Sequence, residues 1–93
     1  MPELARFYGI VITMYFRDHS PPHIHIYGGN RRRPEWAAQV TLRDGTLLDG
    51  DAPDVALRLV GDWVALHRDE LLEAWRRART GQEPGRIAPL RLR

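Results

Sequence analysis

The stretch DHSPPHIHIY, residues 18–27, places three of the chain's four histidines within seven positions and sets two prolines between them. In an extended strand, alternate side chains share a face. His23, His25 and Tyr27 are therefore expected on one side of a strand running from about His23 to Tyr27, with Ile24 and Ile26 on the other, facing a core. The Cα atoms of the two histidines would lie about 6.6 Å apart, close enough for their rings to share an ion, a phosphate or a proton. His19 is separated from them by Ser20-Pro21-Pro22, a segment biased toward polyproline-like extension. Only a turn, with or without a cis proline, brings its ring to the same point.

Three readings of this group compete. In one, His23 and His25 ligate a divalent metal, His19 or Asp18 completes or orients the site, and the prolines stiffen the loop. In the second, no cofactor is required. One neutral imidazole takes a proton from a nucleophile and another donates to a leaving group, as in metal-independent RNA cleavage, with Asp18 and His19 as orienting groups. In the third, the imidazoles hydrogen-bond loop carbonyls and fill a polar sheet face.

Arg31-Arg32-Arg33 follows on a flexible bend opened by Gly28, Gly29 and Asn30. Together with Arg17 these guanidinium groups would collect phosphate delivered to the histidine face, and Tyr27 or Trp36 would offer a ring for stacking. A charge run this short also reads as a solvated loop tip. All fourteen cationic side chains are arginine, which suits planar, bidentate recognition of phosphate or carboxylate, although a net charge of +2 does not by itself mark a nucleic-acid binder. The absence of cysteine excludes disulfides, thiolate catalysis and sulfur-ligated zinc. Any metal must be held by His, Asp or Glu.

The elements that position these residues divide the chain in two. A first strand is expected from Arg6 to Arg17, burying the alternate set Tyr8, Ile10, Ile12, Met14 and Phe16. A third is expected from Glu35 to Arg43, then a two-residue hairpin at Asp44-Gly45 that sets Leu47 opposite Leu42, and a short fourth strand ending near Gly50. From about 53 to 80 the pattern is helical. Pro53 suits a first helical position, and Ala56, Leu59, Val60, Trp63, His67, Leu71, Ala74, Trp75 and Ala78 recur at helical spacing. The cluster Arg76, Arg77, Arg79 and then Gly81 and Pro84 marks the stop. Twenty-eight such residues would make a rod of roughly 42 Å, long for a chain of this size, so a break is expected near Arg68 to Glu70. Trp63, Trp75 and His67 read as core, and the tail 84–93 as an extended segment returning over the sheet.

Ninety-three residues, 43% of them hydrophobic, suit one domain spanning 1–93. The longest uncharged apolar run, Phe7 to Phe16, falls far short of the roughly 20 residues needed to cross a bilayer. With no charged-then-apolar leader, the expected setting is cytoplasmic, without a membrane partner. The long helical region has no glycine-containing turn that would mark a helix-turn-helix.

The pattern FYGIVITMYFRDHSPPHIHI, followed by an alternating strand, a turn, the helix ALRLVGDWVALHRDELLEAW and a closing IAPL, resembles a family of small prokaryotic proteins catalogued as a domain of unknown function, with the hallmark DHxPPHxH. The resemblance runs from about Phe7 to Leu90. It implies a component of a two-gene toxin–antitoxin-like module whose partner is a small protein encoded by a neighbouring gene. The arginine triplet lies outside the shared pattern. The combined expectation is an α+β protein with an antiparallel sheet of three or four strands packed on a C-terminal helix or helix pair. Its expected function is RNA cleavage by His23 and His25, with a metal-binding or purely interacting module as the alternatives. A homodimer is compatible with open sheet edges.

Overall fold

A computed structural model of the chain describes residues 2–91. The fold is α+β, with five strands where three or four were expected: β1 Glu3–Phe7, β2 Ile10–Thr13, β3 His23–Gly28, β4 Ala37–Thr41 and β5 Leu47–Asp51. They form one antiparallel sheet in the order β1-β2-β3-β4-β5. Two helices follow, α1 Asp54–Leu66 and α2 Arg68–Arg79. None of the helices is long and apolar enough to cross a membrane.

The extra strand arises because the apolar run is not one strand but a hairpin. Tyr8 and Gly9 have φ of 48° and 78°, so both central residues of a two-residue turn lie in the left-handed region, the condition for a tight turn that matches strand twist. Gly9 carried the signal, and Tyr8 in the place usually held by Asn or Asp hid it. Ile10, Ile12 and Met14 stay buried, while Tyr8 at the turn and Phe16 beyond β2 are exposed. Leu4, Ala5 and Phe7 of β1 join the core in their place.

The β4–β5 connection also differs from the expected two-residue hairpin. Thr41 N–H donates to the Thr46 carbonyl, and the Asp44 carboxylate accepts from both threonine hydroxyls, at 2.6 and 2.7 Å, making a longer loop. Leu47 consequently pairs with Val40 rather than Leu42. Leu42 is fully buried and Leu47 is 43% exposed on the edge strand.

One sheet face, carrying Ile10, Ile12, Ile24, Ile26, Ala38 and Val40, forms a single buried cluster with Ala56, Val60, Trp63 and Val64 of α1 and Leu71, Ala74, Trp75 and Ala78 of α2. The helices break at His67, whose φ of −117° interrupts the helix one residue before the expected region. Trp63 and Trp75 are buried as expected; His67 is only partly so, and its Nδ1 lies 2.6 Å from Glu70 Oε1. Pro53 sits just before the first helical residue, its carbonyl accepting from Leu57 N–H. At the other end Gln82 N–H reaches the Arg77 carbonyl and Gly81 N–H the Ala78 carbonyl, with Gly81 at φ 84°, a Schellman stop. The tail forms no strand. It docks through Ile87 N–H on the Leu4 carbonyl and Trp63 Nε1–H on the Ala88 carbonyl, burying Ile87 and Leu90. Residues 92 and 93 of the expected tail lie outside the described residues.

Candidate functional site

Strand β3 turns its isoleucines into the core and so presents its histidines on the opposite face. Ile24 and Ile26 are fully buried. A one-residue slip in register would turn both outward and forfeit about 1.5–3 kcal/mol each, so apolar packing dictates which face the imidazoles occupy. His23 and His25 lie side by side with ring centroids 5.0 Å apart, as the alternation predicts. The expectation that both rings are displayed to solvent needs correction. His23 is 1% exposed, its ring packed at 5.3 Å from that of Trp75 on α2, and only His25 remains partly open.

The loop from Met14 to Pro22 folds Asp18 back over these rings. It is pinned at both ends: Arg17 N–H donates to the Ala78 carbonyl at 3.0 Å, and Leu42 N–H to the Pro22 carbonyl at 3.0 Å. The Ser20–Pro21 bond is cis. Asp18 Oδ2 lies 3.0 Å from His23 Nε2 and 3.1 Å from His25 Nε2. Among the described residues, Asp18, His23 and His25 form a group whose donor atoms all lie within 4.8 Å of one another. His19 stays outside it, with a side chain 87% exposed and its Nδ1 3.1 Å from the other carboxylate oxygen. The turn that was required to bring His19 inward brings Asp18 instead.

The proton positions follow from the partners. His23 Nδ1 is 2.7 Å from the Pro21 carbonyl, which can only accept, so Nδ1 carries the hydrogen. In the neutral ring this leaves Nε2 with a bare lone pair. Although Asp18 Oδ2 is within ion-pair distance, the angular geometry makes no hydrogen bond, and among the described residues His23 Nε2 is a buried polar atom with no hydrogen-bond partner. A lone pair set against a carboxylate oxygen is repulsive unless a cation or proton lies between them. Burial pushes the His25 imidazole below its ordinary pKa of 6.5, opposed by its Asp18 hydrogen bond and reinforced by the neighbouring His23 charge, so the ring is neutral at pH 7. Burial raises the Asp18 carboxyl, but the His25 hydrogen bond, the His19 N–H and the charges of His23 and His25 outweigh it and hold the group below 3.8.

Two tyrosines extend the polar face. Tyr15 packs edge-on against His25, with centroids 4.4 Å apart, and its hydroxyl hydrogen-bonds that of Tyr27. Burial, then the Tyr15 hydrogen bond, push Tyr27 up to about 12, so its phenol stays protonated.

The arginines expected to gather phosphate are divided between two places. Arg17 lies at the α2 end, its guanidinium against Gly81, where an added Cβ would fall 2.6 Å from Nη2. Arg31 to Arg33 follow the opposite end of β3. Arg31 acts electrostatically on Tyr27, while Arg32 and Arg33 are exposed and Arg32 N–H bonds Asn30 Oδ1. Sequence reasoning missed Tyr15 and Arg79 beside the site. Arg79 has its guanidinium 5.9 Å from the Trp75 ring centroid and 3.3 Å from Ser20 Oγ. The helical spacing placed Trp75 in the core, and no sequence signal showed that its outer edge would roof His23.

A five-stranded antiparallel meander backed by two C-terminal helices, with an Asp, His, His cluster on the strand face behind the core, defines the class structurally. Within it, the chain belongs to the family described as Domain of unknown function (DUF4160), whose family model matches residues 9–76. That span covers β2 to most of α2 and the whole cluster. No curated protein and no solved structure matches the chain.

Proposed function

We propose that the protein binds a divalent first-row transition-metal ion through Asp18 Oδ2, His23 Nε2 and His25 Nε2. The observation that carries this reading is His23 Nε2, a buried imidazole nitrogen that has no hydrogen-bond partner among the described residues and lies 3.0 Å from a carboxylate oxygen. Spacings of 3.0 and 3.1 Å resemble those between neighbouring ligands on one ion, about 3.0–3.4 Å for bonds near 2.1 Å. The Pro21 carbonyl on Nδ1 is the outer partner that holds a ligating histidine in the required tautomer. Two imidazoles and one carboxylate suit zinc, iron, cobalt or nickel and leave coordination positions for an exogenous ligand. Bound there, the ion would supply Lewis acidity beside a partly open His25.

A second reading retains the expected action on RNA in a toxin–antitoxin-type module. It is favoured by one observation: His25 is partly open and hydrogen-bonded to Asp18, and burial holds its imidazole below the ordinary 6.5, as a general base near neutrality requires. His23, enclosed by Trp75, would then orient rather than exchange protons with substrate.

The first test is elemental analysis of protein exposed to manganese, iron, cobalt, nickel and zinc and then desalted. About one ion per chain is expected, lost in Asp18→Ala and His25→Ala. A hundredfold excess of metal over Kd would stabilise the fold by about 2.7 kcal/mol, and chelator would reverse this. Wild-type protein that retains no ion and melts at one temperature with or without metal sinks the metal reading. RNA cleavage that survives chelator but is lost in His25→Ala supports the second.

A further inference from the structure

The register of the sheet carries the polar face beyond the Asp18, His23, His25 group. His25 pairs directly with Gln39 on β4, and Gln39 with Asp49 on β5. Direct partners in antiparallel strands share a face, so these three side chains form one row running from the cluster toward the open edge of the sheet. They line a cleft with Tyr27, floored in part by Ala37 and Gly50. Ala37, which pairs with Tyr27 on this face, has too small a side chain to fill the hollow. Among the described residues, neither the Gln39 amide nor the Asp49 carboxylate has a side-chain hydrogen-bond or ion-pair partner, although Gln39 is half-buried. A row of hydrogen-bonding groups left unused beside a candidate ion site is a surface prepared for a ligand that satisfies them.

The geometry points to this cleft as the ligand subsite of the protein, taking a small molecule that meets the ion beside His25 through an oxyanion and offers a planar pair of N–H donors to the Asp49 carboxylate. The inference rests on the metal reading given above. A carboxylate accepts two parallel N–H bonds from one planar group, and Gln39, between the two ends, can accept or donate along the ligand's length. The rows of His25 and Asp49 are two strand spacings apart, about 9.5 Å, which sets the approximate separation of the ligand's ends. Free arginine, through its carboxylate and guanidinium, and a guanine nucleotide, through its phosphate and base edge, both carry this chemistry. Tyr27, on the adjacent rung, presents a phenol to the same space.

The test is calorimetric titration of the metal-loaded 93-residue chain with L-arginine and, separately, with guanosine 5′-monophosphate, using adenosine 5′-monophosphate as the control that lacks the paired donors. One of the first two probes is expected to bind, at least tenfold more tightly than the control. Asp49→Asn is expected to weaken that binding at least tenfold, and Gln39→Ala by a smaller factor. Metal content and circular dichroism are measured on every sample, separating loss of the ion or the fold from loss of the subsite. A loaded wild-type protein that binds neither probe overturns the subsite and leaves the metal reading standing. Equal affinity in Asp49→Asn, or affinity unchanged by chelator, overturns it as well. A wild-type chain that takes up no ion overturns both.

Discussion

At the scale of single residues, acid acts on the site in one direction. The folded state depresses the pKa of His25 below 6.5, so between that value and the lower folded one the unfolded chain binds more protons, and stability falls as pH drops through this window. Asp18 is held below 3.8, so its contribution is fully present above that value and is lost as pH falls through its folded pKa. Both groups therefore favour the folded chain near neutrality. Metal affinity is expected to follow the same course, level from pH 7 to 8 and falling as pH drops through the lowered pKa of His25, since a proton competes with the ion for its ring nitrogen. A titration followed by cobalt absorbance at several pH values checks it. Affinity that stays level with falling pH until the protein itself unfolds would show that His25 is not a ligand.

At the scale of elements, the end of α2 and the loop bearing Asp18 are one construction. Gly81 closes the helix at φ 84°, and Arg17, itself at φ 53°, lies across it. Gly81→Ala sets a Cβ in the left-handed region and 2.6 Å from the Arg17 guanidinium, so a loss of about 1–2 kcal/mol is expected, with metal affinity falling because the Asp18 loop shifts. Thermal melts and metal titration measure the two effects; an unchanged affinity would mean the loop is held without Arg17. Much at this scale was legible in the sequence. The alternation of β3 placed His23, His25 and Tyr27 on one face, and the run of arginines before Gly81 marked the helix stop. What escaped depended on information that is not local. Tyr8-Gly9 turned a strand into a hairpin through backbone conformation, and the Asp44 network lengthened a loop that the Asp-Gly pair made look tight. The Gln39 and Asp49 row exists only through the pairing of three strands. The burial of His23 required knowing that Trp75, 24 positions beyond the end of the last strand at Asp51, would fold across its ring.

At the scale of the whole molecule, the tail completes the core. Ile87 is buried and its N–H bonds the Leu4 carbonyl, while the neighbouring Ala88 carbonyl satisfies the Trp63 indole. Ile87→Ala is expected to cost about 2–3 kcal/mol, a large share of the roughly 5–15 kcal/mol that stabilises a small domain. Denaturant unfolding measures it, and a loss under 0.5 kcal/mol would show that the tail rests on the core without supporting it.

The same tail makes the two margins of the sheet unequal. The outer backbone of β1 is engaged by residue 87, whereas the described residues of β5 lie exposed along the whole strand, with Leu47 and Leu48 outward. A lateral union of two such molecules would meet less obstruction along β5 than along β1, where the tail already occupies the Leu4 carbonyl. A chain shortened before Ile87 would lose that contact and leave the two margins more nearly alike, so added lateral association on truncation is the consequence to look for.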